Sequence, residues 1–133
     1  MRGIGTDILH IDRIQNTVQD PRDPWIKGGF TEEEQTLIQK KEQPLYGYAT
    51  RFAGKEAVFK ALGADAEHFR LRDIEILEKE TGQPYLLLHG AAAKLAEERG
   101  IGEILLSLSF EYEYAVAFAV ATGREKRDEG PDH

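Results

Sequence analysis

The sequence contains no cysteine. Disulfides, thiolate metal sites and covalent chemistry on a thiol are therefore excluded, and the composition suits a reducing compartment. Long apolar runs are also absent: no stretch approaches the ~20 apolar residues that a helix needs to cross a bilayer. Asp7 comes too early in the chain for a signal peptide. We therefore expect a soluble, cytoplasmic protein that has no membrane partner.

The chain also has no excess of positive charge. It contains 17 Lys and Arg residues and 24 Asp and Glu residues, which give a formal net charge of −7. Binding to nucleic acid depends on Lys and Arg that neutralise phosphates, so we predict no nucleic-acid partner. Residues 1–60 hold nine basic and nine acidic residues, whereas residues 61–133 hold eight and fifteen. An acidic protein partner would therefore meet the least repulsion on the first half of the chain.

Several common catalytic motifs are absent. There is no Gly-x-x-x-x-Gly-Lys-Ser/Thr phosphate loop, and the glycines at 3 and 5 lack the later glycine and the βαβ setting of a dinucleotide fingerprint. The four histidines have no metal-ligand spacing among themselves. Ser107 and Ser109 alternate in a predicted strand without a histidine motif beside them. The residues therefore give no support to a nucleotide loop, a zinc site or a serine nucleophile.

The 133 residues suffice for one domain, which we assign to residues 1–122, followed by a polar, apolar-poor tail at 123–133 that we expect to be disordered. The order of the elements predicts an α+β domain in which antiparallel strands pack on a long central helix. The first predicted elements are a strand at 3–9, a helix from His10, a turn-rich connector at 20–24 followed by the core aromatics Trp25 and Phe30, a helix with a capping box at 31–41 and the long helix at 45–62. They are followed by a strand at 73–77, half-exposed because Glu75 alternates with Ile74 and Ile76, its partner strand at 85–88, a helix at 91–99 and a strand pair at 104–109 and 114–121.

The stretch Arg51–Gly63 forms the centre of this predicted fold. Ala, Leu, Lys and Glu dominate it, and Gly63 stands where a glycine commonly ends a helix. Glu56 and Lys60 lie four residues apart and therefore side by side on one face. They could hold a divalent metal and the phosphates that it bridges, or form a simple surface ion pair contributing only ~0.2–0.5 kcal/mol. The helix alone favours the ion pair.

Asp7 poses a similar choice. The predicted first strand places Ile4, Thr6 and Ile8 on one face and Asp7 on the other. Aspartate is uncommon inside strands, so Asp7 either caps the following helix or belongs to a functional site. The residues alone favour capping.

Three motifs occur in order along the chain: Gly-Ile-Gly-Thr-Asp-Ile at 3–8, Arg-Phe-Ala-Gly-Lys-Glu-Ala at 51–57, and Ser-Leu-Ser at 107–109 ahead of Tyr-Ala-Val-Ala at 114–117. Together they resemble the holo-[acyl-carrier-protein] synthase family of 4′-phosphopantetheinyl transferases, over nearly the whole chain. The resemblance implies that family's fold. It also implies Mg²⁺-dependent transfer of the 4′-phosphopantetheine arm of coenzyme A to a serine of an apo-acyl carrier protein, with release of adenosine 3′,5′-bisphosphate.

The resemblance also implies roles for individual residues. Asp7 and Glu56 match the magnesium-binding acids, and Glu56 is our candidate for the catalytic base, acting directly or through a metal-bound water. Lys60 matches a phosphate-contacting lysine that would stabilise the departing bisphosphate during catalysis. The residues implied to contact coenzyme A are Arg51, Lys55, Lys60, Gly63, Pro84 and Ser109.

Members of this family usually form homotrimers with sites shared between neighbouring subunits. They bind their acidic carrier through basic residues on the first helix and the loop after it. Arg13, Arg22 and Lys27 lie in the matching segment of this chain. The balanced charge of residues 1–60 agrees with that location.

Two positions depart from the family pattern. Phe110 replaces a common histidine, and Asp65 lies in a loop that lacks a second glycine. Three interpretations therefore stand side by side. The chain is an active transferase, a relative that binds coenzyme A or a carrier without efficient transfer, or a structural domain in which Asp7 caps a helix and Glu56 pairs with Lys60.

Overall fold

The computed structural model describes residues 1–64 and 69–124, so Asp65 and most of the predicted tail lie outside the described residues. Within them, no helix is long and apolar enough to span a bilayer. The described elements are the strands β1 (Gly3–His10), β2 (Ile74–Glu78), β3 (Pro84–Leu88), β4 (Ile101–Glu111) and β5 (Tyr114–Gly123) and the helices α1 (Pro24–Gly29), α2 (Glu32–Gln39), α3 (Pro44–Leu62) and α4 (Gly90–Glu98).

The strands form two antiparallel sheets, one in the order β1-β5-β4 and one made of β2 and β3. The long helix α3 packs on the larger sheet and contacts all three of its strands. The central strand β5 contributes four fully buried alanines to this interface. Such small side chains let the helix lie close to the sheet. The predicted α+β domain, with antiparallel strands on a long central helix, is confirmed.

Gly3 and Gly5 bring β1 against the backbone of α3. A Cβ atom on Gly3 would lie 1.9 Å from the carbonyl oxygen of Ala61, and one on Gly5 would lie 2.0 Å from that of Ala57. Only glycine fits at such distances. Because side chains alternate along a strand, Asp7 faces the same side as these two glycines. The glycines of the first motif therefore hold Asp7 close to α3.

Replacing Gly5 with alanine is expected to destabilise the fold by ~1–3 kcal/mol, because the added methyl must push β1 away from α3. Denaturant unfolding measures the change. Gly28→Ala is the matched control, since a Cβ there would meet nothing within 4 Å. If the two variants were equally stable, the close approach of β1 to α3 would not constrain the fold.

The boundaries of α3 follow the predicted signals. Pro44 occupies its first turn, and Gly63 ends it in the left-handed conformation with φ = 71°. The capping box of α2 is also confirmed. The backbone N–H of Glu34 donates to Thr31 Oγ1 at 3.1 Å, and the N–H of Thr31 donates to Glu34 Oε1 at 2.9 Å. Local sequence signals therefore place both helices correctly.

The prediction of a helix from His10 is wrong. The chain forms two short 3₁₀ turns instead, Ile11–Arg13 and Thr17–Gln19. The backbone N–H of Ile11 donates to the carbonyl of Glu113 at 2.7 Å, which ties this segment to the turn between β4 and β5. That tertiary bond replaces the helical pattern that the isoleucine spacing indicated.

The sequence did not predict α1 either, because two glycines in a six-residue segment obscure the helical signal. The Asp23 carboxylate caps this helix by accepting the N–H of Trp25 at 2.9 Å. Trp25 and Phe30 pack on the core as expected, with ring centroids 5.2 Å apart and Phe30 fully buried. The connector therefore contains an ordered helical turn.

Candidate functional site

Asp7 and Lys60 meet where β1 crosses α3. Lys60 Nζ donates to Asp7 Oδ1 at 3.2 Å and to the carbonyl of Thr6 at 2.9 Å. The Asp7 side chain is 19% exposed and that of Lys60 is 57% exposed, so the pair is open to a ligand. No side chain caps the turn after β1. The prediction that Asp7 caps a helix is therefore wrong.

Glu56 lies one turn before Lys60 on α3 and is half-buried. Burial raises the pKa of the Glu56 carboxyl, and the charge of Asp7 raises it further, whereas Lys60 lowers it. Asp7 contacts Lys60, and Lys60 lies one turn after Glu56 on α3, so the two carboxylates lie near the same part of this helix. A cation bound between them would relieve their repulsion.

These donors fit Mg²⁺. This ion commonly takes one or two protein carboxylates and completes its coordination with water and substrate phosphates. Asp7 and Glu56 supply two carboxylates, and across residues 1–64 and 69–124 no cluster of three or more acidic or histidine ligands forms. The pair would leave coordination positions for water and phosphate oxygens. The residues present therefore fit a hard divalent cation shared with a substrate.

A cavity of about 570 Å³ opens beside the N-terminal half of α3. On its wall, Arg51 donates to Glu78 Oε2 at 2.9 Å, and Lys41 lies 2.6 Å from the same oxygen. Burial acts to raise the pKa of Glu78, but the hydrogen bonds from Lys41 and Arg51 outweigh it and lower that pKa. Glu42 also lines the cavity, so its wall carries two cations and two carboxylates and has a balanced formal charge. The lining includes Lys41, Tyr46, Arg51, Glu78, Pro84 and Phe110.

Phe110 lies at this cavity with its ring stacked on that of Tyr46. The centroids are 4.5 Å apart, the planes differ by 18°, and Phe110 is 52% exposed. Tyr46 gave no signal in the sequence as a site residue. Ser109 does not line the cavity, because it is exposed on the opposite face of β4. Of the residues expected to contact coenzyme A, Arg51 and Pro84 therefore line the same cavity of one chain, and Ser109 does not.

Gly63 lies at the C-terminal end of α3, near Lys60. The guanidinium of Arg99 donates to the carbonyl of Leu62 beside it. Arg2, Lys60, Gly63 and Arg99 line a cavity of about 370 Å³. Gly63 is thus close to the carboxylate pair, at the opposite end of α3 from Arg51.

Lys55 lines neither the cavity beside Arg51 nor the cavity beside Gly63. Its burial contradicts the expected contact with coenzyme A. Its side chain is fully buried, and Nζ donates to Glu34 Oε1 at 2.8 Å, to the carbonyl of Leu71 at 3.1 Å and to the carbonyl of Ile74. Burial lowers the pKa of Lys55 to about 8, against the opposing effect of Glu34. Three acceptors enclose the ammonium, so it has no donor left for a ligand.

Glu34 anchors a buried network that the sequence did not reveal. Besides Lys55 and its capping bond, it accepts the backbone N–H of Ile76 at 2.7 Å. Thr31 Oγ1 donates to Glu75 Oε2 at 2.6 Å, and Glu75 Oε1 lies 2.9 Å from His89 Nε2. The prediction that the strand at 73–77 is half-exposed is wrong at Glu75, which is only 5% exposed. The three glutamates at 32–34 signalled a helix start and nothing about this network.

The face of the larger sheet that points away from α3 is exposed and apolar. Ile8, Val116 and Ser109 form one row across its three strands, and Ile4, Val120 and Leu105 form another. The exposed large apolar residues of this face are Ile4, Ile8, Leu105, Tyr114, Val116 and Phe118. A contiguous apolar surface of this kind is typical of a protein interface.

Comparison with known proteins extends these observations. The family model described as 4′-phosphopantetheinyl transferase superfamily matches residues 3–119. The holo-[acyl-carrier-protein] synthase of Caldanaerobacter subterraneus is 39% identical over 122 residues, which cover 92% of this chain and 95% of the relative.

Solved structures agree with the sequence comparison. The acyl carrier protein synthase of Plasmodium yoelii with ADP bound is similar with a TM-score of 0.82 and 32% identity, covering 94% of this chain and 97% of that one. The holo-[acyl-carrier-protein] synthase of Helicobacter pylori in complex with coenzyme A is similar with a TM-score of 0.76 and 26% identity, covering 90% and 99%.

Proposed function

The chain belongs to the 4′-phosphopantetheinyl transferase superfamily of enzymes, and we propose that it transfers the 4′-phosphopantetheine group of coenzyme A to a serine of an apo-acyl carrier protein, releasing adenosine 3′,5′-bisphosphate. The observation that carries this proposal is the convergence of Asp7, Glu56 and Lys60 where β1 crosses α3. A gain in carrier mass that requires both coenzyme A and Mg²⁺ tests it. The cytoplasm is the proposed compartment, because a chain without cysteine suits a reducing environment.

In the proposed reaction, the serine oxygen of the carrier forms a bond to the β-phosphorus of coenzyme A. The bond from that phosphorus to the bridging oxygen breaks, and the bisphosphate leaves with the oxygen. Mg²⁺, when bound by Asp7 and Glu56, would neutralise charge on the pyrophosphate oxygens. The serine proton passes to Glu56, directly or through a water molecule.

Lys60 is suited to the leaving group. Its ammonium contacts Asp7 and the carbonyl of Thr6, and more than half of the side chain is exposed. As the bridging oxygen departs, negative charge develops on the bisphosphate, and an ammonium at this position stabilises it as a point charge. Gly63, at the end of the same helix, allows the backbone to approach a phosphate closely.

The cavity beside Arg51 is the proposed site for the nucleotide end of coenzyme A. Lys41 and Arg51 lie on its wall and could contact phosphate, and Pro84 adds an apolar surface. At this cavity, the family's usual histidine is replaced by Phe110, which stacks on Tyr46. This replacement supports a second candidate function, in which the chain binds coenzyme A or a carrier without efficient transfer.

Phe110→His distinguishes the active transferase from a relative that binds without efficient transfer. If the histidine restores a charge-assisted contact worth ~1–3 kcal/mol, coenzyme A binds more tightly or transfer becomes faster, by about 5- to 160-fold. Calorimetry with coenzyme A and mass spectrometry of the carrier measure these changes, and Phe110→Leu is the control that removes the stack without adding a polar group. Coenzyme A binding without turnover in both the wild type and the histidine variant would favour the second candidate.

A homotrimer with sites shared between subunits is the proposed assembly. The exposed apolar face of the larger sheet supports it, because a second copy of the chain would cover that surface. Ser109 lies on this face and would therefore point toward a neighbouring subunit. This position would let Ser109 take part in a site on the neighbour, although it faces away from the cavity of its own chain.

Val116→Asp is expected to convert the trimer into monomers, because it places a charge at the centre of the apolar face. Sedimentation or light scattering measures the mass. Leu87→Asp is the control, since Leu87 is also an exposed aliphatic residue but lies on β3, outside this face. A wild type that is monomeric at micromolar concentration would contradict the proposed assembly.

The carrier is proposed to bind the segment that contains Arg13, Arg22 and Lys27. All three are exposed, and Lys27 lies in the last turn of α1. Arg22 Nε donates to Asp20 at 3.3 Å, which partly neutralises it. Lys27 is therefore better placed than Arg22 to meet an acidic partner.

A further inference from the structure

A 3₁₀ turn, Leu71–Asp73, precedes β2 and is held against α1. The guanidinium of Arg72 donates to the carbonyl of Lys27 at 2.7 Å, and a Cβ on Gly29 would lie 3.6 Å from Leu71 Cδ1. Lys27 and Arg70 are exposed, and Arg72 is half-buried. Lys27 and Arg72, from two distant stretches of the sequence, thus meet at the C-terminal end of α1, and Arg70 directly precedes the turn that contains Arg72. We name Lys27, Arg70 and Arg72 the α1 basic cluster.

The charges of Lys27 and Arg72 are available to a partner. In the described parts of the chain, neither Lys27 nor Arg72 contacts a carboxylate, whereas Arg51, Lys55 and Lys60 each form an ion pair. The carboxylate of Asp23, also beside α1, already accepts a backbone N–H. A basic surface without internal partners attracts a negatively charged macromolecule.

The cluster is fixed relative to the carboxylate site. The ring of Trp25 in α1 packs on that of Phe52, with centroids 5.5 Å apart, and Phe52 lies one turn before Glu56 on α3. Lys55, the residue before Glu56, donates from its Nζ to the carbonyl of Leu71 in the 3₁₀ turn. A protein bound at the cluster would therefore be held at a set position relative to α3, the helix that contains Glu56.

We propose that Arg70 and Arg72 are specificity-determining residues for the carrier protein and extend its binding surface beyond α1 to the turn before β2. This inference rests on the proposed function. The occupant is an acidic surface of the carrier, because the net charge of −7 disfavours the long polyanion of a nucleic acid but not a compact acidic surface. Carrier recognition would then depend on residues that lie outside the segment that the sequence indicated.

Substitutions at Arg72 separate a charge effect from a structural one. Arg72→Gln keeps a donor for the Lys27 carbonyl but removes the charge, whereas Arg72→Lys keeps the charge. Arg70→Glu changes the charge without touching the bond between Arg72 and Lys27. Lys94→Glu, on the exposed side of α4, is the control with the same change in net charge.

The measurements use one purified, acidic apo-acyl carrier protein throughout. Trp25 is the only tryptophan in the chain, so its fluorescence reports carrier binding next to α1. We expect Arg70→Glu and Arg72→Gln each to raise the carrier Kd and KM about three- to tenfold, with less effect at high salt. In these two variants, kcat and the KM for coenzyme A are expected to change less than about twofold. In the Lys94→Glu control and in Arg72→Lys, the carrier Kd and KM are expected to change less than about twofold.

Each outcome is decisive. If Arg70→Glu and Arg72→Gln leave the carrier Kd and KM unchanged while the wild type transfers the group, the inference is overturned and the proposed function stands. If the wild type neither binds nor modifies the carrier with coenzyme A and Mg²⁺ present, both are overturned. A loss that Arg72→Lys rescues and Arg72→Gln does not supports the inference.

Discussion

Glu56→Gln is expected to lower the rate of transfer to the carrier by about 10²–10⁴-fold, the range typical of removing a general base. The amide is nearly the same size as the carboxylate, but it neither accepts the serine proton nor offers a charged ligand to Mg²⁺. Single-turnover mass spectrometry of the carrier, with saturating coenzyme A and Mg²⁺, measures the rate.

The same variant has a second expected effect, on stability. Because the pKa of Glu56 is raised in the folded state, the stability that its protonated form contributes is lost as pH rises through that pKa. Without Mg²⁺, Glu56→Gln is therefore expected to be more stable than the wild type at neutral pH. Added Mg²⁺ should stabilise the wild type and have little effect on the variant.

Glu97→Gln, which changes an exposed acid on α4, is the control for both measurements. It should leave the transfer rate and the melting temperature nearly unchanged. Normal transfer by Glu56→Gln would remove Glu56 from the proposed chemistry, whatever its effect on stability.

Glu34→Gln is expected to destabilise the fold by ~3–5 kcal/mol, because it leaves the buried ammonium of Lys55 without its counter-charge. Glu34 and Lys55 are both fully buried and lie 2.8 Å apart. Denaturant unfolding of the wild type and the variant measures the difference. Glu33→Gln, at an exposed neighbouring position on α2, should change stability by less than ~0.5 kcal/mol.

The pH dependence of this variant provides a further check. The folded-state pKa of Lys55 is lowered to about 8, below its ordinary value of 10.5, so the unfolded state binds more protons in that window and stability rises with pH. Loss of Glu34 should lower the folded pKa further, so the destabilisation should shrink as pH rises. A double variant, Glu34→Leu with Lys55→Met, should recover much of the loss because it removes both charges. A small, pH-independent effect of Glu34→Gln would contradict this account.

Local sequence signals predicted much of the fold. Pro44 and Gly63 marked the ends of α3, and Thr31 with Glu34 marked the start of α2, because caps depend on neighbouring residues. The segment after His10 was mistaken for a helix, because a distant backbone hydrogen bond from the β4–β5 turn decides its conformation. Signals within one element were therefore reliable, and contacts between elements were not visible.

In the candidate site, too, neighbours on one helix could be predicted and contacts between elements could not. Helical spacing brought Glu56 and Lys60 together, and the family motifs added Asp7. The burial of Lys55 could not be predicted, because its partner Glu34 lies 21 residues away and resembled a helix-terminal charge. The stacking of Phe110 on a tyrosine 64 residues earlier was equally hidden.

The central claim is that Asp7 and Glu56 share one divalent cation. Anomalous diffraction from crystals grown with coenzyme A and Mn²⁺, a substitute for Mg²⁺, tests it most directly. We predict one peak between the two carboxylates, with an oxygen of each within about 2.3 Å of the metal. Coenzyme A bound with no peak at this position, or with the metal held by other residues, would contradict the account.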